Sequence, residues 1–64
     1  MKQYIIHSET GDVKSFFASN DEEAEDILFE DKTLPKNIQL DLNHWDGDKW
    51  NHITSMMRVS SDKN

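Results

Sequence analysis

Asn20 to Asp31 reads NDEEAEDILFED, and the reading of this stretch decides the fold. It holds seven of the thirteen acidic residues and no basic one. Ser19-Asn20-Asp21-Glu22 fits the S-x-x-E capping box, in which a hydroxyl and a carboxylate three residues on satisfy free N–H groups at a helix start. Ala24, Ile27 and Leu28 follow at i, i+3 and i+4, which makes one apolar stripe. At about 3.6 residues per turn, Asp31 returns close to that stripe, so regular helix is expected to end before it. Lys32 then stands where a cation suits the negative helix end. Leu34-Pro35 prevents continuation, because the residue before proline avoids the α region.

On either side of the helix the pattern changes to strands. Gln3–Ser8 (QYIIHS) and Val13–Ala18 (VKSFFA) are rich in β-forming residues, with a turn at Glu9-Thr10-Gly11-Asp12. A loop centred on Thr10-Gly11 would set Ile6 opposite Ser15, Tyr4 opposite Phe17 and Ile5 opposite Phe16. Apolar residues then fall on both faces of the hairpin. After the helix, Asn37–Trp45 (NIQLDLNHW) sets Ile38, Leu40 and Leu42 against Gln39, Asp41 and Asn43, the mark of a half-buried strand. Asp46-Gly47-Asp48 is a hairpin turn, and Trp50–Val59 (WNHITSMMRV) returns. A loop centred on Gly47-Asp48 pairs Leu42 with Ile53 and Ile38 with Met57, and on the other face Trp45 with Trp50 and Asn43 with His52. The expected fold is α+β, one acidic helix packed on a small antiparallel sheet in the order β-β-α-β-β. Residues 1–59 form a single domain in this reading, and 60–64 a disordered polar tail.

Sixty-four residues with 34% apolar and 31% charged content leave room for one small core. The chain has no cysteine, so neither a disulfide nor a thiolate metal site can hold it together. MKQYIIHSE is too short an apolar run for a signal peptide, and no stretch could span a bilayer. A cytoplasmic protein is the expectation. A net charge of −6 repels phosphate backbones and anionic lipid, so the expected partners are basic protein surfaces rather than nucleic acid or membrane.

Catalysis is not expected. The two glycines, Gly11 and Gly47, both belong to turns, so no phosphate-cradling loop exists. No cysteine nucleophile is present, and a domain this small has little volume for a pocket that would perturb a carboxylate. No cofactor is expected. His44 and His52 flank Asp46 and Asp48, but in the expected register the two imidazoles lie on opposite faces and do not converge on a metal. Asp46-x-Asp48 matches the opening of a calcium loop without its remaining ligands. The aspartates are expected to shape the turn instead.

The helix offers a surface. With Ala24, Ile27 and Leu28 inward, Glu22, Glu23, Glu25, Asp26 and Glu30 fan over the outer side with Phe29 among them. Asp21, Glu22 and Glu23 suit the positive helix start for stability alone. That reason fails for Glu30 and Asp31. Phe29 has two positions open to it: outward as an aromatic anchor within a carboxylate ring, or folded back into the core. The first matches how binding hot spots are built. The candidate partner-binding residues are therefore Glu22, Glu25, Asp26, Phe29, Glu30 and Asp31. Their expected role is to occupy a basic, nucleic-acid-binding surface of another protein by charge mimicry. An alternative reading is a homodimeric structural or accessory module. It would use the sheet face away from the helix, with Trp45, Trp50 and Phe16 as the second candidate interface and Ile5 and Met56 nearby.

The segment FFASNDEEAEDIL, preceded by a short hairpin and followed by KNIQLDL, resembles the DpnD/PcfM-like group of small phage and mobile-element proteins. The resemblance covers about Gln3 to Leu42 and rests on two strands, an alanine, a polar pair, an "EEA" helix start and a strand of alternating leucines. The element order and acidic surface are also similar to those of the small host-RNA-polymerase inhibitors of some podophages. Those use arginines on their final strand, where this chain has Arg58 alone. Together the resemblances imply a phage-type protein acting in the host cytoplasm on a host or defence protein.

Overall fold

The computed structural model describes residues 1–59. The elements β1 (Lys2–Ser8), β2 (Gly11–Ala18), α1 (Asp21–Glu30), β3 (Gln39–Trp45) and β4 (Trp50–Met57) follow one another in the expected β-β-α-β-β order. The strands make one antiparallel sheet ordered β2-β1-β3-β4. The first strand therefore lies inside the sheet. The helix carries the chain from the β2 edge over one face to the far side of β1. The expected polar tail, 60–64, lies outside the described residues.

Period-two alternation chooses the face that the helix covers. Tyr4, Ile6 and Ser8 of β1 are buried, as are Leu40 and Leu42 of β3 and Ala18 of β2. The helix contributes Ala24 and Leu28, and Leu34 closes the cluster from the loop after it. Ile27 is only partly buried, at the margin of the stripe. Full burial of one leucine such as Leu28 is worth about 1.5–3 kcal/mol, so a core of this size holds little in reserve.

Both hairpins depart from simple pairing by one bulge each. In the first, the tight loop is Glu9-Thr10, closed by Ser8 opposite Gly11, rather than a loop centred on Thr10-Gly11. Gly11 takes φ 127°, which side chains disfavour. The buried Ser8 hydroxyl donates to the Gly11 carbonyl at 3.1 Å and accepts the Thr10 N–H at 3.2 Å. A register shift follows, after which Ile6 faces Lys14, Ile5 faces Ser15 and Tyr4 faces Phe16. The expected pairs Ile6–Ser15, Ile5–Phe16 and Tyr4–Phe17 are thus each off by one residue. In a strand a one-residue shift reverses every side chain. Phe16 turns into the core side, its ring stacked on Tyr4 at 5.7 Å, and Phe17 turns out.

In the second hairpin Trp45–Trp50 and Asn43–His52 pair as expected. A shift between Leu42 and Asn43 then makes Ile53 the extra residue, so Leu42 faces Thr54 and Gln39 faces Met57. The strand begins at Gln39 rather than Asn37 because Asn37 adopts φ 68°, a left-handed turn that asparagine tolerates. The Asn37 N–H donates to the Arg58 carbonyl at 2.6 Å, so the chain ahead of β3 is anchored to the end of β4.

Candidate protein-binding surface

The helix starts one residue later than its sequence motif suggested. Asn20 is the N-cap, and its side-chain oxygen accepts the Glu23 N–H at 2.8 Å. Glu23 answers by accepting the Ser19 N–H at 2.5 Å. Asn20 and Glu23 act in place of Ser19 and Glu22, with Glu23 reaching past the N-cap to the N–H of the residue before it. Asp21 has a different task. Its carboxylate accepts the hydroxyl of the buried Tyr4 at 2.7 Å, which fixes the helix start over the sheet. Burial, and then this carboxylate, push the Tyr4 phenol up to about 12.

The other end is held by a residue that the sequence did not single out. The Arg58 guanidinium donates to the carbonyls of Asp31 and Phe29, both at 2.6 Å, and to that of Leu28 at 3.4 Å. These are carbonyls that a helix leaves unsatisfied at its C-terminus. No basic residue of the helix itself lies in the last turn, and Lys32, expected in that role, is an exposed turn residue. Arg58 supplies the cation from the end of β4 instead. Its only sequence signal was its status as the sole arginine.

Asp31 must be removed from the outer face. Its side chain is only 11% exposed and is paired with Lys14 of β2. It also accepts the Thr33 N–H at 2.9 Å and the Thr33 hydroxyl at 2.5 Å. These partners, Lys14 first, hold its carboxyl well below the usual carboxylate range. The residue that seemed out of place at a negative helix end is there to join helix and sheet.

What remains outside is simpler than the composition implied. Phe29 is 50% exposed, so of its two positions it takes the outward one. Glu22, Asp26 and Glu30 are exposed and Glu25 is half-buried. None of these four side chains makes a hydrogen bond or ion pair among the described residues. Helical spacing sets Glu22, Asp26 and Glu30 in one i, i+4 row, with Glu25 and Phe29 in the row beside it. Like charges at that spacing destabilise a helix by about 0.2–0.5 kcal/mol per pair. For Asp26 and Glu30, which the helix start does not favour as it does Glu22, the arrangement is a cost to the fold, set around an exposed ring.

The opposite sheet face carries the second group of candidates. Trp45 and Trp50 meet across the hairpin with ring centroids 5.1 Å apart and planes at 55°. Phe16 does not join them, because the bulge turned it inward; Phe17, 62% exposed, takes its place on that face. Met56 likewise packs toward the core, and Met57, its neighbour, is 53% exposed. Only a bulge-aware register could have found Phe17.

Polar side chains on this face are tied to their own chain. Asp12 contacts His7 Nδ1 at 2.8 Å. Asp41 accepts the Ser55 hydroxyl at 2.5 Å and the Gln39 amide at 3.2 Å, and these bonds lower its pKa. His52 Nε2 lies 2.8 Å from the Ser55 oxygen. Since the one Ser55 proton goes to Asp41, His52 must donate here. In the turn, Asp46 accepts the N–H groups of Asp48 at 2.8 Å and Lys49 at 2.9 Å and the Asn51 amide at 2.8 Å. His44 and His52 do lie on opposite faces: His44 rests on the Tyr4 ring at 5.2 Å.

Comparison with protein-family models, with curated proteins and with solved structures finds no match to this chain. Among the described residues no helix is long and apolar enough to cross a membrane.

Proposed function

We infer that this chain is a non-catalytic binding protein whose helix occupies a basic, nucleic-acid-binding surface on another protein. The observation that carries the reading is Phe29, half exposed beside a row of carboxylates that serve no partner within the described fold. An exposed aromatic is the anchor that a tight protein interface requires, and its rim of charge would steer it toward a cationic groove. Carboxylates without a partner in the described fold would compete with phosphates for a cationic groove, so occupancy would exclude nucleic acid from it. We further propose a role in host takeover or anti-defence on a host cytoplasmic protein, an extension that rests on the sequence resemblance alone.

The test is capture from bacterial lysate by three immobilised forms: the parent, a Glu22→Lys/Asp26→Lys/Glu30→Lys variant, and Phe29→Ala. The parent should retain a nucleic-acid-binding protein that added DNA displaces, and both variants should lose it. Raising salt from about 0.1 M to about 1 M shortens the Debye length from about 10 Å to about 3 Å and should release the partner. Retention by the charge-reversed variant, or binding indifferent to salt, would sink the reading.

A further inference from the structure

The sheet has one covered face and one bare face, and the upper end of the bare face is not built for water. At its upper end Phe17, Gln3, Trp45 and Trp50 form one row across the four strands. Below it run Ser15, Ile5, Asn43 and His52, and below those Asp12, His7, Asp41 and Ser55. A solvated face of an antiparallel sheet is normally polar throughout. Here the upper row presents three aromatics, with Phe17 62% and Trp50 41% exposed. No lysine and no glutamate stands in these rows, although the chain carries a net charge of −6.

We propose that this face binds a second copy of the same chain about a twofold axis parallel to the strands. Such an axis keeps each row at its own level and lays β1 over β3 of the second copy and β2 over β4. Phe17 then meets Trp50 of the other copy, Gln3 meets Trp45, Ser15 meets His52 and His7 meets Asp41. No two acids oppose one another, and the aromatic row covers itself. The face is self-complementary, as a twofold interface must be. Strands about 4.8 Å apart and about seven residues long at about 3.3 Å each give a footprint near 440 Å² per copy. With side-chain relief, the pair would bury on the order of 1,200–1,400 Å², within the range of specific, stable interfaces. Charge favours the same choice, because sheets packed about 10 Å apart put the two acidic helices on opposite outer sides. A partner of high net positive charge would instead find few carboxylates here, both already hydrogen-bonded to His7 or Ser55.

Sedimentation equilibrium of the pure protein over a concentration series tests the proposal. The parent should reach twice the chain mass, and Phe17→Lys/Trp50→Lys should sediment at one chain mass while still unfolding cooperatively on heating. Both residues are exposed, so the variant retains the core. Pairing is tested by cross-linking, which the absence of native cysteine makes clean. Phe17→Cys chains mixed with Trp50→Cys chains should be joined by a short bismaleimide, and Phe17→Cys chains alone should not. A parent that stays monomeric, or a dimer indifferent to the double lysine change, overturns the interface. Cross-linking of Phe17→Cys to itself overturns the twofold. The helix substitutions used to test partner binding lie on the other side of the molecule, so the two ideas fail separately.

Discussion

Replacing Arg58 by alanine would remove the clamp on the helix C-terminus, and its cost can be worked from the contacts. Two of its bonds are short, to Asp31 and Phe29 carbonyls at 2.6 Å, while the third, to Leu28 at 3.4 Å, is weak. A charge-assisted bond is worth about 1.5–3 kcal/mol net, but Arg58 is partly exposed and the freed carbonyls regain some water, so the pair together should give about 2 kcal/mol. That is a large share of the stability of a domain this size, which is about 3–10 kcal/mol. For such small domains the melting midpoint should fall by about 10 °C. Thermal and urea unfolding followed by far-ultraviolet circular dichroism would read the change. Arg58→Lys keeps a cation at the negative helix end, worth about 0.3–1 kcal/mol, but cannot reach two carbonyls with one planar group. It should therefore recover less than half of the loss. An alanine variant within about 0.5 kcal/mol of the parent would refute the clamp. A lysine variant as stable as the parent would reduce it to simple charge.

Two pH dependences follow from groups that join helix and sheet. Tyr4 is the only tyrosine, so ultraviolet absorbance reads its ionisation alone. The folded protein should titrate near 12, against 10.0 for a free phenol. The folded state holds the proton more tightly, so this stability is full below pH 10.0 and is lost as pH rises toward about 12. Tyr4→Phe should flatten that alkaline loss; a folded-state midpoint near the free value would contradict it. For Asp31 the sign reverses. Its carboxyl is depressed by Lys14 and Thr33, so the stability it gives is present above the ordinary carboxylate pKa of about 3.9 and fades as pH falls below it. In urea unfolding Asp31→Asn should be weaker than the parent at about pH 5, and the gap should narrow at about pH 3. An equal gap at both would exclude ionisation as the cause.

Element order and the α+β class were legible because each depends on local signals: the helical period of Ala24, Ile27 and Leu28, the alternation of Leu40 and Leu42, and the two glycine turns. The β3–β4 pairing was legible near its turn, at Trp45–Trp50 and Asn43–His52, and was lost beyond the bulge at Leu42. A bulge leaves almost no mark on hydrophobic pattern, yet it decides whether Phe16 or Phe17 reaches the surface. The outer helix row of Glu22, Asp26 and Glu30 was legible because helical spacing alone sets it, whereas the side taken by Phe29 was left open because it turned on where the helix ends. Asp31 was misplaced for the opposite reason. Its position is explained by Lys14, seventeen residues away, and by Thr33. The Arg58 contacts, which span up to thirty residues, are of the same non-local kind.

The strand order has a consequence for how the molecule forms. Each hairpin joins near neighbours and can close within about 1–10 μs. The central β1–β3 ladder is different, since it pairs Gln3 with Trp45 and Ser8 with Leu40. Loop-closure entropy makes that meeting the costliest pairing of the sheet to form. Leu40, Leu42 and Arg58 all lie on the C-terminal side of that pairing. A nascent chain that has made its first hairpin and its acidic segment still lacks half of the surface that would hold the helix. Display of Phe29 on an ordered helix is therefore a property of the finished fold and waits on the last strands.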